Sequence, residues 1–337
     1  MEQVDFVVSW VDGTDPAWQK EYSYYKGEEY KPDSGRFRNW DFFRYWFRAV
    51  EKHAPWVRKV FLVTNGKFPD WINPNCEKLV LVKHSDYIPE EFLPTFSSTT
   101  IELYFHRIPG LSEHFVYFND DCFINNDIGP DYYFRDGLPC DNNIESVFCT
   151  DPFDERDRFG INIIMFVDIS IINKNFSRRK VICESRRKWS RQYIGRESLL
   201  TKLLLSRRDL FIGFEMRHCA QPFLKSVIEE VWNKENKILI ESSSRFRKDI
   251  SVNAYLFRYW QFATNKFSYS KVKKHERALP CKLETLNEII STLKNPEFKS
   301  ICLNDSPLIG DNDYSIVQPA IHKALSEKYP LKSAFEA

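Results

Sequence analysis

Lysine and arginine (48) nearly cancel aspartate and glutamate (47) over 337 residues, so no overall field selects nucleic acid or a membrane as the partner. Aromatics make up 16% of the chain and glycine only 11 residues, which excludes a disordered protein and supplies ample material for a core. The cysteines at 76, 122, 140, 149, 183, 219, 281 and 302 form no C-x-x-C pair, arguing against a zinc ribbon or a disulfide framework and for reduced thiols in a cytoplasmic protein.

The chain opens into an apolar strand, Asp5 to Trp10, with no basic segment and apolar signal core before it. Similar strand-like runs follow at Lys59 to Thr64, Lys78 to Lys83 and Phe115 to Asn119. Between the first two, Trp40, Phe43, Phe47 and Val50 repeat at helical spacing until Pro55 stops the pattern. The stretch Thr99 to Ile108 predicts another helix, on which Glu102 and His106 share a face directed at the next strand's carboxylates. After about residue 125 the rhythm loosens at Gly129, Pro130, Gly137 and Pro139, and Ile161 to Ile172 predicts one or two buried strands. Residues 178 to 208 are strongly basic, and residues 222 to 233, 250 to 264 and 283 to 294 predict helices. No run approaches the length needed to span a bilayer. Strands alternating with helices imply an α/β fold with a mostly parallel central sheet and a helix-rich second half packed on it.

The stretch His114 to Ile124 carries the most chemistry, because a strand delivers Asn119, Asp120 and Asp121 directly into a second apolar run. Adjacent carboxylates beside a strand end are costly unless something positive neutralises them, and a divalent cation with a phosphorylated substrate does so in many α/β sites; an acidic turn in solvent has the same spelling. Trp10, Asp12, Gly13 and Asp15 close the first strand in an acidic turn able to seat a base and a ribose, and Asn65 and Gly66 close the second. Ser97 belongs to a Ser/Thr-rich helix start that caps free amides and can hold a phosphate. His218 stands just before a predicted helix, where an imidazole can serve as acid or base. Arg245 and Arg247 are candidates to clamp a diphosphate, and Asn304 and Asp305 end a short strand with more oxygen ligands for a cation.

Together these segments resemble the Stealth family of hexose-1-phosphate transferases, which includes bacterial capsular polysaccharide phosphotransferases and the catalytic subunit of N-acetylglucosamine-1-phosphotransferase. The resemblance covers four blocks in order. The first is Asp5-Phe-Val-Val-Ser-Trp-Val-Asp-Gly-Thr-Asp-Pro16, and the second runs from Arg36-Phe-Arg38-Asn through Leu93-Pro-Thr-Phe-Ser-Ser to Asn119-Asp-Asp. The third contains His218 and the Arg245 segment, and the fourth is Cys302-Leu-Asn-Asp305.

What the resemblance implies is a GT-A-like, Rossmann-like transferase fold, a UDP-hexose or UDP-N-acetylhexosamine donor, Mg²⁺ or Mn²⁺, and a sugar hydroxyl that attacks the phosphorus so that UMP departs. The family's acidic positions fall on Glu102, Asp120 and Asp121, and its histidine and arginine on His218 and Arg245, with Arg247 as the alternative arginine. Metal ligands are then expected from Asp120, Asp121, Asn304 and Asp305, and donor contacts from Trp10, Asp12, Gly13, Asp15, Arg36, Arg38, Asn65, Gly66, Ser97 and Arg247. His218 and Glu102 both remain candidates to deprotonate the acceptor. A single catalytic domain is expected, with residues 1–125 as the nucleotide-sugar-binding half and 126–337 completing the active site and acceptor surface. The acceptor is a polysaccharide or lipid-linked oligosaccharide, and the basic 178–208 stretch offers contact with it or with an anionic membrane at the inner face of the cell membrane. A metal-dependent glycosyltransferase releasing UDP and a non-catalytic glycan-binding module are the rival readings.

Overall fold

The computed structural model describes residues 3–30, 40–146, 161–190, 208–248, 251–305 and 309–337. In chain order, β1 (Val4–Ser9) leads to α1 (Pro16–Lys26) and α2 (Phe43–His53), followed by β2 (Val60–Thr64), β3 (Leu79–Lys83), α3 (Ser98–Leu103), β4 (His114–Asn119) and β5 (Cys122–Ile124). Next come β6 (Phe134–Arg135), β7 (Leu138–Asp141), α4 (Ile161–Asn175), α5 (Arg178–Glu184), α6 (Arg186–Ser190), β8 (Gln221–Leu224), α7 (Lys225–Ser242) and α8 (Ala254–Ala263). The chain finishes with β9 (Ser268–Tyr269), β10 (Glu276–Pro280), α9 (Leu283–Lys294), β11 (Ser300–Asn304) and α10 (Asp311–Lys328).

The main sheet has the order β3-β2-β1-β4-β8, with the first four strands parallel and β8 antiparallel at the edge. Central strands of a parallel sheet are covered on both faces, which explains why Val4, Phe6, Val7 and Val8 run on without polar alternation. The polar exception is Asp5, fully buried, which accepts from Arg58 Nε at 2.8 Å and from the Ser112 amide at 2.8 Å. α1 starts where Asp15 accepts from the Ala17 amide at 3.1 Å ahead of Pro16. It ends at Gly27, whose left-handed backbone at φ 74° lets its amide close on the Ser23 carbonyl.

A second sheet, β10-β11-β5, pairs β10 with β11 in parallel and β11 with β5 antiparallel, setting Cys302 opposite Cys122. The chain therefore leaves one sheet and enters another at Asp120–Asp121. Apolar residues from both halves of the sequence, from Val4 to Phe335, merge into one continuous core.

Three sequence expectations are corrected. Residues 161–172 form the helix α4 and not strands. Its buried positions Ile164, Met165, Asp168, Ile169, Ile171 and Ile172 fall at helical spacing, and a helix packed on apolar neighbours shows too little polar periodicity to be told from a strand by pattern. The expected helix at 222–233 begins only at Lys225, because Gln221–Leu224 pair with β4. Pro222 is tolerated there since an edge strand does not need every N–H. Finally, α3 stops at Leu103 and a tighter turn, Phe105–Arg107, follows, so Glu102 and His106 do not share a face. His106 lies instead against the Trp232 ring, 5.5 Å between centroids.

The C-terminal segment returns to the first half. Arg48 on α2 grips Glu336 through two nitrogens, at 2.7 and 2.6 Å. Burial alone would raise the Glu336 carboxyl, but the Arg48 guanidinium and the Ser333 groups hold it below the usual carboxylate range. A depressed folded value means this pair stabilises the fold above the unfolded value and is lost as pH falls through the folded one. Glu336→Gln should cost about 2 kcal/mol in urea unfolding at pH 7, and the difference from wild type should shrink as pH falls through the folded value of the carboxyl.

Candidate active site

Three strand ends meet at one edge of the main sheet, because the parallel register sets Ser9 opposite both Val63 and Asn119. Just past Asn119 lie Asp120 and Asp121. The Asp121 carbonyl accepts from the Leu303 amide at 2.8 Å, which brings the end of β11, with Asn304 and Asp305, to the same place. Both Asp121 and Asp305 are near enough to push the Cys281 thiol upward, after burial itself. The antiparallel edge strand adds the last part. Gln221 pairs with Tyr117, so the residues leading into β8 reach the C-terminal end of β4, and His218 Nε2 stands 3.8 Å from Asp121 Oδ2.

Asp120 is open to solvent, and Asp121, His218 and Glu102 are partly so, yet the protein packed around them weighs on all of their charges. Burial and the neighbouring Asp121 charge push Asp120 up to about 7. Asp121 feels the same burial, but His218 and the thiols of Cys122 and Cys302 outweigh it and hold its carboxyl below the ordinary range. The Asp121 carboxylate beside it in turn raises His218 against the effect of burial. Glu102 on α3 is pushed up to about 7 by burial, opposed chiefly by Arg247. Its Oε2 accepts from the Ala254 amide at the start of α8, at 3.4 Å, and its Oε1 lies 3.2 Å from the Tyr117 hydroxyl.

Carboxylates that repel one another, as Asp120 and Asp121 do, are what a divalent cation relieves, so the residues present fit one. Among the described residues, Asp121, His218 and Cys302 bring an oxygen, a nitrogen and a sulfur within 4.8 Å of one another. Burial and the Asp121 charge drive the Cys302 thiol upward, so at neutral pH it is a protonated neighbour and the oxygens are the donors suited to a hard cation.

The two arginines separate. Arg245 donates from Nε (3.1 Å) and Nη2 (2.9 Å) to the Leu93 carbonyl, and its guanidinium lies over the Tyr25 ring. Arg247 donates to Ser98 Oγ at 2.8 Å, on the helix that carries Glu102, and it is the cation that acts on Glu102.

The expected donor residues line the loops after β1 and β2. Trp10 stacks on Phe43 with planes 1° apart. Asp12 Oδ1 accepts from the Thr14 amide and hydroxyl, the Gly13 carbonyl accepts from Gln19 Nε2, and Asp15 is committed to capping α1. Asn65 Oδ1 accepts from the Lys67 amide, and Gly66 adopts φ 111°, a backbone that side chains rarely take. Ser97 is buried beside Thr95. Arg36 and Arg38 lie outside the described residues, as does 191–207 of the basic stretch.

Two residues join this set that the sequence did not single out. Lys67 reaches Asp12 (3.5 Å) and Asp15 (3.3 Å), tying the loops after β1 and β2 together. The Tyr117 hydroxyl is 2.7 Å from Asn119 Oδ1 and 3.1 Å from Ser9 Oγ. Strand alternation puts Tyr117 and Asn119 on one face, a signal that could have found it.

Residues 2–30 match Stealth protein CR1, conserved region 1, and residues 36–140 match Stealth protein CR2, conserved region 2. The receptor polysaccharide phosphotransferase WefC of Streptococcus oralis is 36% identical over 348 residues, covering all of both chains. The chain belongs to the Stealth family. A capsular polysaccharide phosphotransferase of Streptococcus pneumoniae, WcwK, is likewise 36% identical over 348 residues with both chains covered in full. This Stealth protein is accordingly an enzyme, a phosphotransferase of the sugar-1-phosphate type. Among solved structures, the galactosyltransferase LgtC superposes with a TM-score of 0.41 and 7% identity, covering 96% of this chain and 95% of that one. No helix among the described residues is long and apolar enough to cross a membrane.

Proposed function

We propose that the protein transfers a hexose 1-phosphate, for example N-acetylhexosamine 1-phosphate, from a UDP-sugar to a sugar hydroxyl of a cell-surface or capsular polysaccharide, releasing UMP. The observation that carries this reading is the meeting of Asp121, His218, Glu102 and Arg247, from four separate segments, in a chain whose full-length relatives are named polysaccharide phosphotransferases. Phosphoryl transfer asks a protein mainly to position reactants and neutralise charge on the oxygens.

Asp120 and Asp121, with Asn304 and Asp305 beside them, would hold Mg²⁺ or Mn²⁺. When bound, the ion neutralises the diphosphate and the developing charge on its oxygens. Arg247, rather than Arg245, faces the transferring phosphoryl group, since the Arg245 guanidinium is engaged by Leu93 and Tyr25. His218 orients the acceptor hydroxyl and receives its proton, with Asp121 behind the imidazole. Glu102, joined to Tyr117 and the start of α8, fixes the wall opposite. The loops carrying Trp10, Asp12, Gly13, Asn65 and Gly66 seat the uridine, and Lys67 keeps those loops together. The acceptor reaches the cleft over the basic α5 and α6.

Mass spectrometry of products from a panel of UDP-hexoses, with Mg²⁺ and capsular oligosaccharides, tests the reading. UMP and a phosphodiester-linked sugar with the donor's anomeric configuration are expected, and chelation of divalent ions should stop turnover. UDP as the nucleotide product would mean glycosyl transfer and reject the proposal.

A further inference from the structure

His218 arrives on neither a helix nor a strand, so something else must hold its backbone still. The residues on either side do this. Arg217 is 3% exposed and donates from Nε to Glu276 at 3.0 and 2.9 Å, while Glu276, 6% exposed, opens β10. On the other side, Cys219 Sγ meets the Arg277 carbonyl at 3.9 Å, and the His218 carbonyl receives Cys122 Sγ at 3.8 Å. The Arg217 carbonyl accepts from the Tyr255 hydroxyl at 2.8 Å and from Gln221 Nε2 at 3.3 Å.

These contacts share a logic of topology. β10 pairs with β11, β11 pairs with β5, and β5 follows directly from Asp121. The segment carrying His218 is thus tied to the same small sheet that starts at Asp121, and the two reacting side chains are referenced to one frame. A buried ion pair contributes little net stability relative to apolar residues of the same volume, so its worth here lies in geometry.

We propose that Arg217 is a positioning residue, whose buried pair with Glu276 fixes the His218 imidazole against Asp121. The inference rests on the reading in which His218 acts on the acceptor hydroxyl. Loss of the pair lets the imidazole drift, and a misplacement of about 1 Å is enough to cost on the order of 100-fold in rate.

Arg217→Met alone leaves Glu276 buried without its partner and will destabilise the protein, so the informative variant is Arg217→Met combined with Glu276→Leu, which removes both charges together. Its kcat should fall roughly 10- to 100-fold below wild type, with donor affinity in isothermal titration and the melting temperature nearly unchanged. The same pair of changes made on a His218→Ala background should produce no further loss, because the group being positioned is gone. A folded double variant with wild-type kcat would overturn the proposal, as would an equal loss on the His218→Ala background, which marks a purely structural role. If His218→Ala alone retains wild-type turnover, the reading of His218 fails, and that result is seen separately from the behaviour of the Arg217 variants.

Discussion

Replacing Asp121 with asparagine should lower kcat by about a thousandfold, equivalent to about 4 kcal/mol, with the protein still folded. Asp121 is the point where the arguments about this site cross. Its backbone carbonyl joins the two sheets, its carboxylate pairs with His218, and its charge adds to burial in raising Asp120. Asparagine keeps the side chain's shape, and the bond to Leu303 comes from the backbone, so the sheet junction survives. What is lost is the negative charge available to a cation and to the imidazole of His218. Turnover measured at saturating donor over a range of Mg²⁺ concentrations, with a thermal melt on the same sample, separates chemistry from folding. Activity within fivefold of wild type at every Mg²⁺ concentration would remove Asp121 from the mechanism.

The second large effect concerns stability. Arg258 on α8 is 1% exposed and donates to both oxygens of buried Asp141, from Nε at 2.7 Å and Nη2 at 3.1 Å, and also to the Glu215 carbonyl at 2.9 Å. Arg258→Met strands the Asp141 carboxylate in the interior, with Arg217 Nη1, 3.8 Å away, as the nearest recorded cation. The expected cost is about 3–5 kcal/mol in urea unfolding, the range for breaking a buried pair on one side. Removing both members, Arg258→Met with Asp141→Leu, should recover most of it, since the desolvation of two charges disappears along with their attraction. A single-variant loss below about 1 kcal/mol would mean that the Asp141 carboxylate is not left in a dry interior.

Much of the site was legible in the sequence because it is written in local signals. Strand runs ending in Asp12-Gly13, Asn65-Gly66 and Asn119-Asp120-Asp121 announce loop tips on one edge of a parallel sheet, and the structure contains that sheet. Other features were not local. The apolar run at 161–172 reads equally as buried strand or buried helix until its neighbours are known, and Pro222 hides an edge strand inside what looks like a helix start. Arg245 and Arg247 are two residues apart and chemically alike; only the Leu93 carbonyl and Ser98, 152 and 149 residues earlier in the chain, give them different partners.

By itself, then, the sequence determined the strand-and-helix alternation, the family, and the residue types available for phosphoryl chemistry, since apolar periodicity and contiguous motifs depend on neighbours along the chain. Which of those residues face one another was decided by tertiary structure: β8 pairing with β4 carries His218 to Asp121, and β11 pairing with β5 carries Asn304 and Asp305 beside it. The physical reason is that such pairings join segments up to about 180 residues apart, as in the 177-residue separation of the Ser300–Phe123 bond. Their free energy comes from burial and register across the whole core, which no short stretch of sequence encodes.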